Sequence, residues 1–162
     1  MKIKVIAFSI FFLSLSEITF AAGKKNLLIV DFQNISAYGS YAFLKDYMLK
    51  IYNDALKAKY KVVPKESYSS VLKELSDISE NYLFDRRRGE ELGRVLSADY
   101  VVMGRYTYAD DQNLSVEIIL INVKKSIKTT FKQSKLTPKA DLLKTATDIS
   151  IKLCSYILAA AK

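Results

Sequence analysis

The chain has 162 residues, with 25 Lys plus Arg against 17 Asp plus Glu for a net charge of +8, and half of its residues are apolar. That length is about one domain's worth, and that apolar share fills a sizeable core, which excludes disorder as the overall state. There is no His and a single Cys, so His-dependent triads, the usual zinc sites and an internal disulfide are excluded.

The first 22 residues differ in kind from the rest. Lys2 and Lys4 precede an apolar run from Val5 to Leu15, and Thr19, Phe20, Ala21 and Ala22 follow as a small-residue cleavage site. This pattern predicts a signal peptide over residues 1–22, cut after Ala21 or Ala22, and a single envelope domain over 23–162. The run is interrupted by Ser9 and Ser14 and falls short of the roughly 20 apolar residues of a membrane span. No Cys stands at the cleavage point to receive a lipid. Losing Lys2, Lys4 and Glu17 lowers the net charge from +8 to +7. A basic exported domain favours anionic partners such as envelope polymers, lipid headgroups or acidic proteins, rather than nucleic acid.

In the stretch Asn26 to Asn34, Leu27 to Val30 form an apolar run too continuous for a strand with one wet face, and Asp31, Phe32, Gln33 and Asn34 follow. The run predicts a strand over 27–32 covered on both sides, ending in a turn. From Tyr41 the period becomes helical, with Leu44, Tyr47, Met48, Ile51, Tyr52, Ala55 and Leu56 as a broad apolar stripe. Tyr60 to Val63 reads as a short strand closed by Pro64, and Lys65 to Leu75 as a second helix with Tyr68, Val71, Leu72 and Leu75 inward. A third helix begins at Asp85, which is placed to cap it, and turns Leu92, Val95 and Leu96 to the core. Gly89 and Gly93, four apart, predict close approach of this helix to a neighbour.

Strands follow over 99–108 and 114–123, the second apolar on both faces through Ile118, Ile119, Leu120 and Ile121. Ile127 to Gln133 alternates with Lys128, Thr130 and Lys132, as an edge strand guarded by lysines does. Thr137 and Pro138 are an N-cap and first-turn pair for the final helix, in which Leu142, Leu143, Ala146, Ile149, Leu153 and Ile157 line one side and Cys154 is a small buried hydrophobe. The fold class is α/β, a mixed four- to five-stranded sheet packed with about four helices in the order β-α-β-α-α-β-β-β-α.

The chain carries neither GxxxxGK nor GxGxxG, so the ordinary nucleotide loops are absent. Asp110 and Asp111 sit in a hairpin turn that turn propensity explains without a metal. No cofactor is expected. Asp31, Asn34, Gly93, Asp99 and Gly104 are read as structural turn positions. The 11 tyrosines and the Arg cluster favour interfaces, and the candidate interface residues are Tyr38, Tyr41, Tyr82, Phe84, Arg86, Arg87 and Arg88.

LLIVDFQN, YKVVPKESYSSVLKEL, GEELGRVLSADYVVMGRY and VEIILINV, in that order, resemble a bacterial envelope family. It includes the curli secretion protein, the lipoprotein activator of penicillin-binding proteins and flagellar outer-membrane accessory proteins, and a related fold occurs in the amino-terminal domain of the Tol-system propeller protein. The shared pattern is a strand ending in D-F-x-N, matched by Asp31, Phe32 and Asn34, and G-x-x-L-G-A-D before a strand and glycine, matched in part by Gly93, Ala98, Asp99 and Gly104. Ser97 stands where the family often has Gly, and Lys65-Glu66 where it often has Glu-Arg. The resemblance implies a non-catalytic accessory protein of the periplasm, peripheral to the outer membrane. It would act through an envelope protein partner in envelope or surface-structure assembly. A peptidoglycan or polysaccharide module, an anionic surface as partner, a subunit of an outer-membrane secretion assembly and a homo-oligomer are the open alternatives.

Overall fold

The structure, a computed structural model, describes residues 23–36, 41–76, 86–109 and 111–161, with the backbone alone for 72–76 and for 86. Its strands are β1 (Asn26–Ile29), β2 (Gln33–Asn34), β3 (Lys61–Val62), β4 (Tyr100–Tyr108), β5 (Asn113–Asn122) and β6 (Ile127–Leu136). Its helices are α1 (Phe43–Leu56), α2 (Lys65–Ser76), α3 (Arg86–Val95) and α4 (Leu142–Ala160). The sheet runs β3-β1-β4-β5-β6. β1 is parallel to both β3 and β4, whereas β4, β5 and β6 form an antiparallel meander. β2 prolongs β1 along β4, so the two share one position and the sheet is five positions wide. This is the mixed α/β architecture that the sequence predicts.

The continuous apolar runs are explained by two cores. Leu27 and Ile29 join Val102, Ile118 and Leu153 in the larger core, on the side of α1 and α4. Leu28 and Val30 join Val101, Met103, Ile119 and Ile121 in the smaller one, on the side of α2 and α3. Alternate side chains of one strand enter opposite faces, so a strand covered on both sides has no polar register. Each leucine or isoleucine so buried contributes on the order of 2 kcal/mol.

On α1 the buried line is Leu44, Met48, Tyr52 and Leu56, one residue per four. It is narrower than the seven-residue stripe read from the sequence, because Tyr47 and Ala55 face solvent. On α4, Leu142, Ala146, Ile149, Leu153 and Ile157 are buried while Leu143 is 45% exposed. Cys154 is buried among them, and burial pushes its thiol up to about 12.

α3 lies close on the sheet because of its glycines. A Cβ at Gly93 would sit 2.6 Å from Val123 and 2.7 Å from Val101, and one at Gly89 would strike Met103 and Ile121. The helix ends in a Schellman turn, in which the Ala98 N–H donates to the Gly93 carbonyl (2.8 Å) and the Ser97 N–H to the Arg94 carbonyl (3.2 Å). Ser97 takes the left-handed position, φ 51°, which glycine occupies without steric cost.

Thr137 does not cap the final helix. A 3-10 turn, Lys139–Asp141, comes first, and α4 begins only at Leu142. The Thr137 hydroxyl turns inward instead, to the Thr145 hydroxyl at 2.7 Å. A buried hydroxyl left unpaired would cost more than a solvated helix end. β6 runs to Leu136, three residues past its predicted end. Tyr82, Leu83, Phe84 and the proposed Asp85 cap lie outside the described residues.

Candidate functional site

At the end of β1 the chain gains one residue on its partner. Ile29 lies opposite Val102, but Gln33 lies opposite Arg105, so four steps along this strand meet three along β4. The extra residue is a bulge over 30–32. Because of it, Phe32 returns to the face that Leu27 and Ile29 use, and its ring packs against Gly104. A Cβ at Gly104 would fall 2.2 Å from the Phe32 ring, so the D-F-x-N strand end and the distant glycine form one fitted pair. Phe32 also meets Tyr52, with ring centroids 4.9 Å apart.

The bulge turns Asp31 between the two neighbouring helices. Its Oδ2 accepts from Lys65 of α2 at 2.7 Å and from Lys45 of α1 at 3.1 Å. Burial pushes the Asp31 carboxyl up, and the ammonium groups of Lys65 and Lys45 outweigh it, holding the group below the usual carboxylate range. Asp31 is therefore an ionised tie between helices and has no proton to trade near neutral pH. Its Oδ1 is buried with no hydrogen-bond partner among the described residues. Next to it the Tyr68 hydroxyl donates to the Ile29 carbonyl at 3.0 Å, where the ladder breaks.

A groove of about 340 Å³ opens beside this tie, between α1 and α2 over β3, lined by Leu49, Asn53, Val63, Pro64, Lys65 and Tyr68 among others. Strand ends of parallel sheets are where α/β folds place ligands. The polar groups here are already engaged, however: the Asn53 amide donates to the Leu49 carbonyl and Lys65 serves Asp31. Among the described residues no three His, Cys, Asp or Glu side chains converge to hold a metal ion.

The other predicted turn residues take separate places. Asn34 accepts the Ser36 N–H at 2.9 Å, which fixes the turn after β2. Asp99 accepts the Asn26 N–H at 2.9 Å and the Lys124 ammonium at 2.9 Å, joining the starts of β1 and β4 to the β5–β6 turn. The Lys124 bond holds its carboxyl low. Gly93 and Gly104 lie within α3 and β4 rather than in turns, and their role is close approach.

Of the candidate interface residues, Tyr38, Tyr82 and Phe84 lie outside the described residues. Tyr41 is half-buried, edge-on to Tyr108 at 4.8 Å. Arg86 opens α3, Arg87 is exposed and Arg88 half-buried, and both of the latter engage neighbours. Among the described residues, Tyr41 and the Arg86 to Arg88 segment belong to different parts of the fold, Tyr41 before α1 and the arginines in α3. Several other tyrosines are struts. The hydroxyls of Tyr106 and Tyr108 donate to the carbonyls of Tyr41 and Thr137, both at 2.9 Å.

An apolar stripe missed by the sequence reading lies on the outer side of α1 and α4. Phe43 and Tyr47, four apart, are 51% and 36% exposed, and Leu143 and Ile151, eight apart on α4, are 45% and 56% exposed. The Tyr47 hydroxyl and the Thr147 hydroxyl, 2.8 Å apart, clasp the two rows side by side. Asp46, Lys50, Lys144 and Asp148 are exposed on the same helices. The signal was present: Leu142 and Leu143 are adjacent, about 100° apart on a helix, so both cannot point inward.

No protein-family model matches the chain, and no curated protein sequence does. Solved structures do match. Lipoprotein GNA1162 from Neisseria meningitidis superposes with a TM-score of 0.56 at 16% identity, covering 81% of this chain and 96% of that one. The LpoB C-terminal domain from Salmonella enterica gives 0.53 at 15% identity, covering 70% and 84%, and that from Escherichia coli gives 0.53 at 16% over the same shares. At such identities the likeness is one of fold: this chain has the sheet-and-helix architecture of the LpoB C-terminal domain and of GNA1162.

Proposed function

We propose that the protein is a non-catalytic accessory protein of the cell envelope, periplasmic and peripheral to the outer membrane, which works by binding another envelope protein. The observation that carries this reading is the stripe of Phe43, Tyr47, Leu143 and Ile151, an apolar centre on helices that also carry exposed charges, which is the composition of a protein interface. Three things support the reading further. The motifs resemble those of the penicillin-binding-protein activator family, the fold is that of the LpoB C-terminal domain, and the one carboxylate at the strand end is locked to two lysines. Tyr41, just before α1, is proposed as a secondary contact, and the Arg86 to Arg88 segment, on α3 and so on the other face of the sheet, as a separate one. Curli-type secretion and flagellar accessory roles remain alternatives within the same resemblance, as does retention on peptidoglycan.

Replacing Tyr47, Leu143 and Ile151 together with Ser tests the proposal. The expected outcome is a loss of partner capture in the native envelope of about tenfold or more, as removal of central anchors gives. The melting temperature should stay within a few degrees of the wild type, because all three residues are at least 36% exposed. Capture at wild-type level by the folded variant would refute the assignment.

A further inference from the structure

The opposite end of the sheet, where β1, β3 and β4 begin, carries a different surface. Lys24 and Lys25 lead into β1, Lys57 and Lys59 follow α1, and Lys61 opens β3; all five are exposed. They are neighbours in space. The Lys24 ammonium donates to the Lys57 carbonyl at 3.2 Å, the Lys61 N–H donates to the Lys25 carbonyl at 3.0 Å, and Lys24, Lys25 and Lys59 line one shallow hollow with Tyr60, Leu158 and Ala161. Lys25 lines a second hollow with Lys124 and Lys125 of the β5–β6 turn. Carboxylates are few here. Asp54 takes Lys57, and Asp99 takes Lys124 and also feels Lys25. Among the described residues, seven lysines therefore face two carboxylates, which leaves about five uncompensated positive charges at this end.

We infer that this lysine-rich end docks the domain on an anionic lipid surface, with the sheet standing on the membrane and the strand-end side and the α1–α4 stripe facing away from the headgroups. The lysines come from the lead-in, one strand start and two turns, and spread across an end whose hollows are shallow. That suits a plane of diffuse negative charge rather than one bound anion. Lys59 and Lys61 are exposed to solvent, while the Lys24 ammonium rests on the Lys57 carbonyl and the Lys25 ammonium on the Tyr100 hydroxyl, beside a hollow whose floor includes Tyr60 and Leu158, an apolar setting of the kind that meets the interfacial zone. The surface is independent of the protein-binding stripe and can fail or stand without it.

The test is sedimentation of the purified protein with phosphatidylcholine vesicles and with vesicles in which about a third of the lipid is phosphatidylglycerol. The wild type should bind only the anionic vesicles, and more weakly as salt rises. A variant with Lys24, Lys25, Lys59 and Lys61 changed to Gln should lose about five-hundredfold in binding, each such lysine contributing roughly a fivefold factor near an anionic membrane. A variant with Lys132, Lys135, Lys139 and Lys144 changed to Gln, equal in net charge, should lose less than about threefold. Changing the first four lysines to Arg should preserve binding. Equal losses in the two Gln variants would overturn the inference, and so would retention of the wild type on purified peptidoglycan with no binding to anionic vesicles.

Discussion

The two ends of the sheet use lysine in opposite ways. At the bulged end, Lys45 and Lys65 are drawn onto one buried carboxylate and tie α1 and α2 to the strand. At the other end, Lys59 and Lys61 stand in solvent with no carboxylate against them among the described contacts. The first arrangement spends charge on stability and the second leaves it available to a partner. The number of lysines does not distinguish them; the presence of a half-enclosed acidic group does. Net charge alone therefore overstates how much of the surface is open to an anionic ligand.

The largest effect that would break this contrast is expected at Phe32. Phe32→Ala removes a ring 1% exposed and fitted over Gly104, and should cost about 4 kcal/mol in urea unfolding. A loss below about 1 kcal/mol would show that the bulged end is not where the fold is secured. Next comes Asp31→Asn, expected to cost about 2 kcal/mol at neutral pH through two weakened charge-assisted bonds. The sign follows from the depressed folded-state carboxyl. Its stabilisation is present above the unfolded value, near 3.8, and is lost as pH falls through the lower folded value. The gap between wild type and variant should therefore close in unfolding experiments taken from pH 7 to well below 4. A gap that stays constant with pH would assign the loss to packing.

The smallest stability effect lies at the lysine-rich end. Ser97 holds a left-handed position at the close of α3, and Ser97→Gly should raise stability by about 1 kcal/mol. No gain in the melting temperature would mean that the added freedom of glycine in the unfolded chain cancels the relief of strain, the Asn26 bond to the carbonyl of residue 97 being kept in both proteins.

Much of the fold was legible because its signals are local. β4, β5 and β6 announce themselves by alternation and by lysines on the edge, and α3 by the glycines that press on Val101 and Val123. The bulge was not legible: LLIVDF reads as one strand, and nothing in six residues shows that the pairing with β4 slips by one. The ring that the slip turns inward is received by Gly104, 72 positions away. The strand order was hidden for the same reason, since β1 pairs with β4 across three helices and two strands. At the candidate site, Asp31 was visible as a turn former, but its lysines were not, because they come from separate helices. Tyr47 and Leu143 were misassigned to the core because apolarity was counted without asking whether one helix face has room for every apolar residue.

The central claim, that the outer side of α1 and α4 is the protein-binding surface, is tested most directly by site-specific photocrosslinking in the native cell envelope. A photoreactive residue at position 47 or 151 should yield one discrete adduct with another envelope protein. The same residue at position 59 should yield none with that protein. Adducts of equal yield from all three positions, or none from 47 and 151 while the protein is folded and exported, would contradict the account.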